Sequence, residues 1–267
     1  PEQALSLALT GWLGGENASQ INFKLALSTA KVRNLVRQYL VSKDPEERLD
    51  IRQRLDAEEA FDAKTVAAVA SHMVRPAAPS GGRDDGFFEL EVRLPFHTTE
   101  NKAVARYLVQ LPPEYDARRR YPTIFSLHGE GTTPLQQIEW WAGASTDDGT
   151  REGQGGRHGA IVIAPAWGEK TQLDYRYSAE EHSVVLAVLR DASRQFSIDS
   201  DRVFLSGHSM GGDAAWDIGL SHPDLWAGVI IVSGKAGRYV NHYHQNARTL
   251  PFYIVSGALD HTTFSAN

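Results

Sequence analysis

Gly207-His208-Ser209-Met210-Gly211 has the spacing G-x-S-x-G. A serine hydroxyl placed this way can attack an acyl carbon if it sits on a tight strand-to-helix turn. The two glycines remove side chains that would collide across such a turn, and the serine takes a strained backbone conformation. It then stands at the amino end of a helix, where free N–H groups and the helix dipole favour an oxyanion. The flanking residues supply that setting. The apolar run Val203-Phe204-Leu205 precedes the motif, and a helical stretch follows it to Leu220, ahead of His222-Pro223. An ordinary glycine-rich turn is the alternative reading of the same five residues.

Two further segments fit the same chemistry. Leu127-His128-Gly129-Glu130-Gly131 closes another apolar run. A turn there can aim a backbone N–H above the serine and, with the N–H of Met210, form a two-donor oxyanion hole. Glu130 is the expected second donor, with Gly131 behind it. Gly129 and His128 support the turn, His128 as a structural hydrogen-bonding residue rather than the base. Gly257-Ala258-Leu259-Asp260 follows a late apolar run. Asp260 is the expected acid that orients a histidine, and a helix-capping aspartate is its plainer alternative. The order serine, acid, histidine places the base after Asp260. Thr262 to Asn267 are too few residues for a helix, a strand and a return loop. The histidine is therefore expected beyond residue 267, with the carboxyl-terminal part of the fold missing.

His261 and His208 neighbour the acid and the nucleophile but point poorly for the role. His242 and His244, after the run 229–232, are the other substitutes. His242-Tyr243-His244 also has the spacing of two metal ligands on a strand. No third ligand is evident, so no metal site is expected there. Trp140, Trp141 and Trp167 follow the runs ending at Leu127 and Ala164 and could line an acyl or aromatic pocket beside His208. Core packing under a long loop is their alternative. Residues 143–159 lack the phosphate-loop pattern and read as a mobile surface loop.

The elements that must hold these groups are legible as patterns. Phe88, Leu90, Val92 and Leu94 alternate with charged residues, as in a half-exposed strand. Val104 to Leu111 is a second strand. Runs 123–127, 160–164, 203–205, 229–232 and 252–255 are nearly continuous in apolar residues, as in parallel strands buried on both faces. Ser178-Ala179-Glu180-Glu181 is a capping box that opens a helix carrying Val184, Val185, Val188 and Leu189. Strands alternating with helices give an α/β class with a mostly parallel sheet flanked by helices. Residues 1 to about 75 read as helical. Ile21, Leu25, Val32, Leu35, Val36 and Leu40 share a stripe, and Ile51, Leu55 and Phe61 continue an apolar face. Asp44-Pro45-Glu46-Glu47 is a helix start. The Pro/Gly-rich stretch 76–86 divides an amino-terminal helical domain, 1–80, from a catalytic domain, 81–267.

The chain has 267 residues, 42% of them hydrophobic and 22% charged, enough for a sizeable core. The net charge of −6 gives no attraction to nucleic acid or anionic lipid. No cysteine is present, which excludes disulfides, thiolate metal sites and a cysteine nucleophile. No apolar run is long enough to span a membrane. The chain opens at Pro1 rather than Met, so processing or cropping is expected, with a cytoplasmic location or export after signal-peptide removal both open.

Residues 127–131, Asp201 to Gly212, Ala214-Ala215-Trp216, His222-Pro223, and Asn246-Ala247 leading through Leu250-Pro251-Phe252 to Gly257 and Asp260 resemble the carboxylesterase branches of the α/β-hydrolase superfamily. The phospholipase/carboxylesterase group and the polyhydroxybutyrate-depolymerase-like and prolyl-oligopeptidase-like esterases are the most similar. The resemblance covers residues 87–267 and leaves the helical part unmatched. It implies hydrolysis of a small-molecule or lipid carboxylic ester through an acyl-serine at Ser209, with no metal or organic cofactor. A serine peptidase or amidase on the same scaffold, and a non-catalytic binding homologue, are the alternatives.

Overall fold

The computed structural model describes residues 23–42, 44–73, 82–83, 85–94, 104–147, 149–169 and 171–260. Contacts divide the chain into two units, Pro1–Val74 and Arg75–Asn267. Ile21 and His261 lie outside the described residues.

The first unit holds helices α1 (Phe23–Val41), α2 (Pro45–Asp56) and α3 (Ala63–Ser71). Asp44 caps α2 by accepting the N–H of Glu46, with Pro45 in the first turn, as the sequence predicts. Asp62 caps α3 through the N–H groups of Lys64 and Thr65. Val32, Leu35 and Val36 meet Ile51, Leu55 and Ala60 in a small core. The hydroxyl of Ser28 donates to Glu58 and accepts the N–H of Ala60, which ties α1 to the turn after α2. Leu40 departs from the expected stripe and is 58% exposed. It belongs to the last turn of α1, beyond the residues that meet α2, so nothing in this small core covers it.

The second unit is built on a seven-stranded sheet in the order β1-β2-β4-β3-β5-β6-β7. The strands are β1 (Phe87–Arg93), β2 (Val104–Gln110), β3 (Tyr121–Leu127), β4 (Ile161–Pro165), β5 (Ile198–His208), β6 (Gly228–Val232) and β7 (Phe252–Val255). β1 and β2 run antiparallel to their neighbours, and β4, β3, β5, β6 and β7 are parallel. Every residue of β4 is buried. Ile161 and Ile163 enter the large core on one face, and Val162 and Ala164 enter a smaller cluster on the other. That alternation is the two-residue period of a strand covered on both sides.

α4 (Pro134–Ala142) covers the second face through Ile138 and Ala142. α6 (Ala179–Gln195) and α7 (Met210–Ser221) cover the first, with Val184, Val185, Val188, Ala214, Ala215 and Ile218 in the large core. The capping box forms as predicted: Ser178 and Glu181 each bond the other's backbone N–H. Residues 143–159, read from sequence as a mobile surface loop, carry short local structure among their described residues. Ser145 bridges Arg151, and a one-turn helix α5 spans Gln154–Arg157. Gly143 and Gly153 permit this, because a side chain on either would strike the other's backbone.

β7 overturns the expectation of strands buried on both faces. Tyr253 is 68% exposed, Ile254 43% and Val255 41%. β7 ends the sheet order, so among the described residues it has a strand on one side only.

The junction of β5 and α7 is tightly packed. A side chain on Gly207 would collide with the backbone carbonyl of Gly211, and one on Gly211 with the carbonyl of Leu127. Gly207→Ala should therefore cost about 3 kcal/mol, visible as a lower urea midpoint at unchanged m-value. Ser178→Ala removes a cap from α6 and should cost about 1 kcal/mol, with a fall in Tm of about 2–4 °C by thermal unfolding.

Candidate active site

Ser209 sits between the last residue of β5 and the first of α7, with φ 55° and ψ −124°. A non-glycine residue at positive φ is strained, and persists only where its surroundings over-determine it. Here the constraints are visible. The N–H of Ser209 donates to Val232 O at 2.9 Å, and its own carbonyl accepts from Gly212 and Asp213 at 2.7 and 3.1 Å. The β5 ladder pulls from one side and the first turn of α7 from the other. The side chain makes no capping bond and the residue is half-buried, so the hydroxyl is neither sunk in the core nor used structurally.

Leu127 pairs with Gly207, which brings the turn after β3 against the serine. A Cβ on Gly129 would lie 2.7 Å from His208 O and 3.0 Å from the Ser209 Cβ. Only glycine fits between them. Thr132 closes the turn by donating its N–H and its hydroxyl to Gly129 O, at 3.3 and 3.0 Å. Gly131 has φ 64° at the third position of that turn, where a type II turn needs glycine. The N–H groups of Glu130 and Gly131 lie within the turn and, like that of Met210, meet no acceptor among the described residues. Bare amide donors thus lie on two segments packed against the serine.

His128 is buried, with Nδ1 3.1 Å from Gly129 O and Nε2 unpaired among the described residues. Burial pushes its pKa below the usual imidazole value and disfavours the charged ring. It packs on Trp167, ring centroids 5.6 Å apart, and has no hydrogen bond to Ser209. His208 lies against the indole of Trp140 at 5.4 Å and likewise makes no bond to Ser209.

The three tryptophans separate. Trp140 is 55% exposed beside His208. Trp141 does not line the site. Its indole N–H donates to Ser126 Oγ at 3.2 Å, and it packs with the cluster under α4. Trp167 is 3% exposed, held between His128 and Tyr175. One residue step along a helix rotates by about 100°, so Trp140 and Trp141 cannot face the same way.

His242 and His244 do not lie on a strand. A short helix α8 (Val240–Tyr243) runs into a 3-10 turn, His244–Arg248, so alternate residues do not share a face. His244 Nδ1 is within 2.8 Å of Asn241 O. Asp260 stands in the turn after β7, its N–H donating to Gly257 O at 2.9 Å. β5, β6 and β7 end level, since His208, Val232 and Val255 are in register. Asp260 and Ser209 therefore leave the same edge of the sheet.

One supporting segment escaped the sequence reading. Ser233 has φ 50°, and a Cβ on Gly212 would come within 2.8 Å of Gly234 Cα. Asp213, in the first turn of α7, accepts the N–H of Lys235 at 2.6 Å. These contacts lock the loop after β6 against the serine turn. Gly211-Gly212 opposite Ser233-Gly234 was the available signal.

The fold recurs among solved structures. Fluorophosphonate-binding serine hydrolase F of Staphylococcus aureus matches at 16% identity and TM-score 0.50, covering 67% of this chain and 84% of that one. A serine-to-alanine variant of the feruloyl esterase module from Clostridium thermocellum, complexed with sinapinate, matches at 14% identity and TM-score 0.50, covering 73% and 77%. A thermostable esterase matches at 21% identity and TM-score 0.47, covering 64% of this chain, which spans 46% of that one. The family described as "Putative esterase" matches residues 101–260, the stretch that contains the β3 turn, the strained serine and the loop after β7. The chain belongs to that family.

Proposed function

We propose that Ser209 is the nucleophile of a carboxylic ester hydrolase. One observation carries the reading: a half-buried serine at φ 55° between a strand end and a helix start, with unaccepted N–H groups on both flanking segments. Ser209 Oγ attacks the ester carbonyl while a histidine takes its proton. The carbonyl oxygen becomes an oxyanion and accepts from the N–H groups of Met210 and Glu130, with Gly131 behind them. Collapse releases the alcohol, which leaves with the proton from the histidine. Water then attacks the acyl-serine, gives its proton to the same base and frees the acid.

Asp260 is the orienting acid in this reading. β7 lies two strand spacings from β5, about 10 Å, so a carboxyl after β7 serves Ser209 through an intervening imidazole rather than directly. The described histidines near the serine, His128 and His208, make no hydrogen bond to it, and in this reading the base comes from residues after Asp260. The substrate is a small-molecule or lipid ester, and Trp140 offers its exposed indole to an aromatic acyl or alcohol group. In this reading residues 1–80 carry none of these groups and form a helical domain distinct from the catalytic one, 81–267.

A fluorophosphonate forms a Ser209 Oγ–phosphorus bond with loss of fluoride. The full-length protein should label once, and Ser209→Ala should not label and should lose about 10⁴-fold or more in kcat on p-nitrophenyl esters. Persistent labelling of Ser209→Ala overturns the assignment. Trp140→Ala should raise KM for aromatic esters about 2–10-fold and leave acetyl esters unchanged. Equal effects on both substrates would remove Trp140 from the site.

A further inference from the structure

α6 and α7 carry a second polar constellation that the ester chemistry does not use. His182, on α6, and His222, at the end of α7, line a cleft of about 910 Å³ together with Asp217, Tyr177 and Tyr239. Eight residues of helix separate Ser209 from Asp217, about 12 Å along α7. The constellation cannot supply the base for Ser209.

Its bonding is directional. His182 Nε2 lies 2.9 Å from Asp217 Oδ2 and 2.8 Å from the hydroxyl of Tyr175. That hydroxyl donates its single proton to Asp217 Oδ2 at 2.8 Å. Both oxygens therefore face Nε2 as acceptors, which places the ring proton on Nε2 and a lone pair on Nδ1. Asp217 is 2% exposed, and its Oδ1 has no partner among the described residues. A carboxylate is costly to bury this deeply. Orienting one imidazole is a reason for its place.

His182 Nδ1 faces His222 Nε2 at 3.4 Å. That is long for an N–H···N hydrogen bond. It is the separation two nitrogens take on one tetrahedral ion, where two bonds of about 2.0–2.1 Å set them about 3.4 Å apart. The rings cross at 63° with centroids 5.6 Å apart, so edges meet rather than faces.

We propose that His182 Nδ1 and His222 Nε2 bind a divalent transition-metal ion of the zinc, copper or nickel class, with Asp217 orienting His182 from behind. Imidazole suits those ions, and a ligating histidine commonly donates its other N–H to a carboxylate. Among the described residues no third His, Cys, Asp or Glu completes a ligand shell. The remaining positions open on the cleft and take water or an anionic ligand. With two protein ligands the affinity is micromolar.

Isothermal titration of Zn²⁺ into the full chain at neutral pH tests this. One ion should bind per chain with micromolar Kd. His182→Ala and His222→Ala should each abolish that binding, Asp217→Asn should weaken it about 10–100-fold, and His242→Ala and Ser209→Ala should leave it unchanged. Thermal melts show whether each variant is folded. The Cu²⁺ electron paramagnetic resonance spectrum of the unmodified protein needs no variant and should report two imidazole nitrogens. No micromolar binding, binding retained in a folded His182→Ala protein, or a copper spectrum with fewer than two nitrogens would overturn the site. The outcome is independent of whether Ser209 is the nucleophile.

Discussion

The contact between Gly207 and Gly211 governs the rest of the catalytic unit. Neither residue has room for a methyl group, because the end of β5, the start of α7 and the carbonyl of Leu127 occupy one small volume. That closeness leaves Ser209 no relaxed conformation. The strain is held by ladder and helix bonds on both sides, and those bonds are available only because β3 and β6 are already paired with β5. A buried parallel sheet is therefore a precondition of the site as well as its scaffold. The N–H groups of Met210, Glu130 and Gly131 beside it meet no acceptor among the described residues.

Around this point the unit divides its labour. The turn after β3 and the start of α7 present amide donors. The loop after β6, held by Asp213 and by the Gly212–Gly234 approach, contributes backbone rigidity rather than chemistry. Trp140 stands at the edge with an exposed ring, while Trp141 and Trp167 are spent on packing. The far end of α7 holds Asp217 and His222, which meet His182 of α6 out of reach of the serine. A single buried helix thus joins two polar sites through a rigid rod and no shared side chain.

Local patterns in the sequence determined a great deal. The capping boxes, the strand runs and the serine turn depend on residues close in the chain, and their physics is complete within a few positions. Ser178 with Glu181, Asp44 with Pro45, and Gly207 with Gly211 are of this kind. What the sequence left open depends on which surfaces meet. β7 reads as a buried strand because Phe252, Tyr253, Ile254 and Val255 are apolar, but no described element covers Tyr253, Ile254 or Val255, which are exposed. Trp141 and Trp140 are adjacent in the chain, and only the position of α4 on the sheet decides that one faces inward and the other outward. His242-Tyr243-His244 has strand spacing on paper, yet the chain turns helically there. Tertiary structure alone brought His182 to His222, forty residues away in sequence. No local pattern marks that pair, because its geometry comes from two helices packed against one face of the sheet.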